Sequence, residues 1–143
     1  MKNSSFFGLI LLFSSVLSLQ KAFATNQPDK VRITMSRNYY SQNRDRGAIF
    51  SISSGNQITL INPAEPNYRL YFSVSRSKYI TEDGIEGIEF EVEPNSYNII
   101  GFYLFELPNL TTTRNGVKVS IDGYNLLIIV DKNGIAEYFY ASF

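Results

Sequence analysis

The chain has 143 residues, 13 Lys and Arg against 13 Asp and Glu, and no Cys, His or Trp. Without Cys or His it has no disulfide, no thiolate or imidazole metal site, and no Ser–His or Cys–His nucleophile pair. Ten Tyr and eleven Phe supply the large apolar side chains, a composition suited to an exported all-β domain.

The first stretch has the layout of a secretory signal peptide. Lys2 is a short basic start, residues 6–19 are an apolar run, and Ala22, Phe23 and Ala24 give the small-residue pattern of a cleavage site. About 14 apolar residues fall short of the roughly 20 of a membrane-spanning helix, so cleavage is expected rather than an uncleaved anchor. The expected domains are therefore a signal peptide at 1–24 and a single domain at 25–143. That domain is long enough to bury one core. Its charge is uneven: residues 25–80 hold eight Lys or Arg against three acids, and residues 81–143 hold three against ten. In one domain these halves interleave and neutralise each other; a basic patch facing an acidic partner is the alternative. The basic residues are scattered without stacking aromatics, so nucleic acid is not expected.

Along the chain, Val31, Ile33 and Met35 alternate with Arg32, Thr34 and Ser36, which predicts a first strand. Residues 38–47 are polar and predict a loop, with Tyr39 and Tyr40 folding back on the core. Strands are predicted at 48–53 and 57–62, separated by turn-forming Ser54, Gly55 and Asn56. Pro63 and Pro66 make a rigid connection. Residues 68–75 predict a strand, and 77–87 a looser acidic stretch. Ile88, Phe90 and Val92 alternate with Glu89, Glu91 and Glu93, which predicts a strand with one wet face. Those glutamates read as a solvated face rather than a metal or acid–base site.

Residues 99–107 form an apolar run ended by Pro108, and 109–115 are a polar connection. Val117, Val119 and Ile121 then alternate with Lys118, Ser120 and Asp122. Asp122 and Gly123 signal a hairpin by turn chemistry, whereas a single edge strand over 117–130 with a bulge at Gly123 is the favoured reading. A turn at 131–134 leads to a last aromatic-rich strand. No stretch shows helical periodicity, so about seven to nine short, mostly antiparallel strands in a sandwich or small barrel are expected. No catalytic residue, metal ligand or cofactor motif is identified, and no small-molecule substrate is expected. The reading is not an enzyme.

Several pieces in order resemble the amino-terminal domain of periplasmic pilus chaperones of the chaperone–usher pathway, the PapD-like group, closest to its archaic branch. Thr34, Met35, Ser36 and Arg37 resemble that family's Ser-Pro-Thr-Arg at the end of its first strand. Residues 58–62 with 68–74 resemble its next two strands. Phe90 to Pro94 resembles its Phe-x-Leu-x-Pro, and residues 103–108 with 116–119 resemble Tyr-Arg-Leu-Phe-x-x-Glu-Leu-Pro and Gly-Val-x-Val. The likeness covers most of residues 31–130, and a second domain finds no counterpart.

The resemblance implies an immunoglobulin-like β-sandwich that caps pilus or fimbrial subunits in the periplasm by β-strand addition, with an outer-membrane usher as a further partner. It implies a donated set of Val117, Val119, Ile121, Leu127 and Ile129, and Arg37 as anchor of the subunit's terminal carboxylate. The alternative is a structural β-sandwich subunit or adhesin of a surface assembly, secreted or at the cell surface. A small outer-membrane barrel is disfavoured, because most predicted strands are shorter than the 9–11 residues a membrane strand needs.

Overall fold

Turn chemistry sets the local order. Asp83 and Gly84 have φ of 52° and 78°, and Asn115 and Gly116 have the same pair of values. Two consecutive residues at positive φ form the tight turn whose twist matches antiparallel strands, and Asn or Asp followed by Gly is the sequence that tolerates it. Glu82 accordingly faces Ile85, and Arg114 faces Val117, across two-residue hairpins.

A computed structural model describes residues 30–141. The expected signal peptide lies outside those residues. Ten strands follow in order: β1 (Met35–Tyr40), β2 (Gly47–Ser53), β3 (Gln57–Ile61), β4 (Arg69–Glu82), β5 (Ile85–Val92), β6 (Ile99–Glu106), β7 (Thr111–Arg114), β8 (Val117–Ser120), β9 (Leu126–Asp131) and β10 (Ala136–Ala141). All pairings are antiparallel. Eight strands close into a barrel in the order β1-β10-β9-β6-β5-β4-β3-β2, and β7 and β8 form a separate two-stranded ribbon. The all-β, antiparallel class is as expected. The strands stand in one closed ring instead of two facing sheets.

Three local expectations change. The 77–87 stretch is not loose: after a bulge between Val74 and Arg76, β4 runs on to Glu82 and pairs with β5. The bulge absorbs the register shift that hides this continuity in the sequence. Tyr39 and Tyr40 lie in β1 and not in a loop, although Tyr39 is fully buried as expected. The single strand over 117–130 does not exist. β8 ends at Ser120, Gly123 has φ of 78°, and β9 starts at Leu126.

The barrel interior is filled by side chains. Phe102 lies 5.2 Å from Phe72 and 5.9 Å from Phe50 between ring centroids, and Phe50 is 6.4 Å from Phe90. Ile58, Ile88, Leu104 and Leu127 complete this core. A transmembrane barrel has the reverse arrangement, with polar residues inside and an apolar band around the outside. Among the described residues no helix is long and apolar enough to cross a membrane. The two unlike-charged halves do interleave. Arg46 pairs with Glu137, while Arg76 and Lys78 of β4 stand in register with Glu91 and Glu89 of β5.

Candidate functional site: the β7–β8 arm and its root

Closing a barrel gives every strand a neighbour on each side and removes its free edges. Each of the eight ring strands has two partners, although β1 and β10 meet through only Tyr39 with Ala141 and Tyr40 with Tyr140. Among the described strands β7 and β8 pair only with each other. The arm therefore carries outward backbone edges along its whole length, while among the ring strands such edges are limited to parts of β1, β10 and the far end of β4, where no described strand pairs on one side. One of its faces holds Thr112 and Val119, which stand opposite each other, and Arg114 and Val117, which do likewise. Val117 is 62% exposed and Val119 half-buried.

The root of the arm is fixed firmly. Asn125, at 0% exposure, accepts the Leu107 N–H at 2.7 Å and donates its amide to the carbonyls of Leu107 and Ile121 at 2.9 and 2.8 Å. Both ends of the excursion are thus clasped by one side chain. Arg37 reaches from β1 and donates Nη1 to the Asp122 carbonyl at 2.8 Å and, at 3.5 Å, to that of Tyr124. The Tyr39 hydroxyl donates to the same Tyr124 carbonyl at 2.6 Å. Burial pushes the Tyr39 phenol well above its usual pKa, against a smaller opposing effect of the nearby Arg37. It therefore stays a donor at any ordinary pH. Leu110 and Ile121 pack against the barrel core and seat the arm on its mouth.

The structure does not bring the five expected strand residues onto one free edge. Val117 and Val119 lie on the arm. Ile121 is buried beneath it as part of the core. Leu127 and Ile129 belong to β9, whose two backbone edges are taken by β6 and β10, and Leu127 faces the interior. Lending β9 would open the barrel. Arg37, expected by resemblance to hold a partner's carboxylate, here binds carbonyls of its own chain.

No protein-family model, curated protein or solved structure matches this chain. Its function must be argued from its own geometry.

Sequence reasoning missed Asn125 and the hairpin at Asn115 and Gly116. The second had a visible signal, since Asn-Gly between β-formers is a strong hairpin mark. The wet face expected of Glu89, Glu91 and Glu93 holds only in part: Glu93 is exposed, Glu91 is half-buried, and Glu89 is buried at 7% exposure. Among the described residues no three acidic groups converge to hold a metal ion.

Proposed function

We propose that the protein is a non-enzymatic binding protein of the periplasm that pairs its β7–β8 arm with an exposed strand of a partner. The partner class is a pilus or fimbrial subunit with an incomplete sheet, capped in the manner of a chaperone. The observation that carries this reading is the arm itself: two strands with one neighbour each, an exposed Val117, and a root held by Asn125 and Arg37. Strand addition draws affinity from main-chain hydrogen bonds and specificity from alternate side chains. A rigid root lowers the ordering cost of binding.

The reading takes its mode of engagement and its compartment from the family resemblance. It does not need the immunoglobulin-like sandwich, because a ribbon on a barrel presents an edge as well as a sandwich does. It narrows the contact residues to Val117 and Val119 and makes Arg37 a pin of the root. Burying two valines completely stabilises a complex by at most about 3–6 kcal/mol, below the roughly 8 kcal/mol of a micromolar complex. Edge hydrogen bonds and the neighbouring Thr112 and Arg114 must supply the rest.

The test is complex formation between the exported protein and a fimbrial subunit lacking its final strand, followed by size exclusion. The wild-type chain should form a one-to-one complex. Val119→Asp should weaken it by about tenfold or more, a loss of 1.4 kcal/mol or above, while circular dichroism and melting of the barrel stay unchanged. Absence of any complex, or full binding by a folded Val119→Asp variant, overturns the reading.

A further inference from the structure

β4 is the longest of the strands, and its two halves have different neighbours. Arg69 to Ser73 pair with β3, and the Val74 N–H still donates to the Asn56 carbonyl at 2.8 Å. Past the bulge between Val74 and Arg76 the strand runs on to Glu82. There β5 is its sole partner among the described strands. The other edge of residues 76–82 is open.

The hairpin fixes which groups that edge presents. Glu82 and Ile85 flank a two-residue turn, and residues so placed exchange both backbone bonds with each other. Pairs along an antiparallel ladder alternate, so Lys78, Ile80 and Glu82 turn their N–H and C=O groups toward β5. Those of Ser77, Tyr79 and Thr81 turn outward. An open row of such groups is a template for a further strand. Tyr79 on this edge is 70% exposed, and Thr81 is exposed as well. A lysine commonly guards an edge of this kind, but Lys78 stands in register with Glu89 inside its own barrel wall.

The order of residues names the occupant. Counting outward from Tyr79, Lys78 answers Ile80, Ser77 answers Thr81, and Arg76 answers Glu82. A copy of the strand laid antiparallel about a two-fold axis at Tyr79 sets Arg76 of each chain opposite Glu82 of the other. We propose that a second copy of this chain is the partner of this edge, so that two β4 strands pair across a two-fold axis and join two barrels into a dimer.

The main chain selects the same register as the charges. With the axis at Tyr79, the two Tyr79 residues face each other and Ser77 faces Thr81 on either side. Three facing pairs of outward groups then exchange two bonds each. With the axis moved to Ile80, only the two pairs of Tyr79 with Thr81 remain. Ser77 would then meet Asp83, whose φ of 52° belongs to the turn, and Arg76 would meet Gly84. About Tyr79 no like charges stand directly opposite each other, and the Lys78 stem lies along Ile80 of the other copy. A two-fold interface needs this self-complementarity, because each contact occurs twice with the roles exchanged. The pairing uses no residue of the arm and stands independently of the partner proposed for it.

Sedimentation at low salt tests the proposal. The wild-type chain should form a concentration-dependent dimer. Arg76→Glu and Glu82→Arg each place like charges opposite each other at both contacts, so each should weaken the dimer tenfold or more with unchanged circular dichroism. An equimolar mixture of the two variants restores opposite charges at both contacts and should recover a one-to-one dimer. In the wild type, hydrogen exchange at the Tyr79 and Thr81 amides should slow severalfold as concentration rises, while that at Lys78 and Ile80 stays constant. A wild-type chain that is monomeric at its highest soluble concentration overturns the proposal. So does a dimer that survives both reversals, a mixture that stays monomeric, or exchange at Tyr79 that ignores concentration. If either variant loses its fold, the exchange comparison in the wild type alone decides.

Discussion

Asn125→Ala tests whether one side chain holds the arm in place. The native amide makes three hydrogen bonds, to the Leu107 N–H, the Leu107 carbonyl and the Ile121 carbonyl, at 2.7, 2.9 and 2.8 Å. Alanine leaves one donor and two acceptors without these partners, the Ile121 carbonyl in a buried bond and the two Leu107 groups part-buried. An orphaned buried polar group costs about 1–3 kcal/mol, with carbonyls toward the low end because they retain a second lone pair. The expected loss is about 3–5 kcal/mol, a large share of the roughly 5–15 kcal/mol that stabilises a domain. At about 4 °C per kcal/mol for a domain of this size, Tm should fall by about 12–20 °C. Asn125→Asp should fare no better. It keeps the acceptor for Leu107 N–H but sets a carboxylate oxygen against two carbonyls. Calorimetry gives the Tm, and hydrogen exchange at the Leu107 amide reports the clasp itself. A Tm within about 3 °C of wild type with the Leu107 amide still protected would refute the argument.

Two further expectations concern the wall and the pH response. Gly87→Ala places a Cβ 2.6 Å from both the Leu104 carbonyl oxygen and the Phe105 ring. The backbone contact cannot yield cheaply, so denaturant unfolding should show a loss of about 1–3 kcal/mol or more; a neutral result would mean that the β5–β6 pairing moves freely. Alkali should destabilise the fold. Burial pushes the Tyr138 phenol up to about 12, with nearby Tyr140 adding to the shift, and burial raises Tyr39 as well. The unfolded chain ionises its tyrosines first, near pH 10, so their stabilising contribution is intact below that value. It is lost as pH rises from about 10 toward the folded-state values. Tm followed by circular dichroism should hold steady to about pH 9 and fall above 10, with tyrosinate absorbance lagging that of free tyrosine. A flat Tm to about pH 11 would contradict the burial of these phenols.

The sequence by itself determined the class and much of the detail. Alternation at Ile88, Phe90 and Val92 placed three residues in the core, and they are there. Gly55, Gly116 and Gly134 all sit at turns with positive φ, where a missing Cβ removes the steric cost. The continuous apolar runs of β6 and β9 also carried a legible mark, for a strand buried on both faces loses its alternation. That mark is what separates a lendable edge strand from a wall of the barrel.

Only the tertiary structure decided which strands became neighbours. Ring closure joins β1 to β10 at the far end of the chain, and the pairing of β6 with β9 skips the whole arm. Such pairings depend on hydrogen bonds and packing between segments distant in sequence, and no local residue pattern encodes them. The same holds for Arg37 and Asn125: their targets are backbone carbonyls and an N–H, groups that every residue carries. A side chain's chemistry is written in the sequence, but the place where the fold delivers a carbonyl to meet it is not.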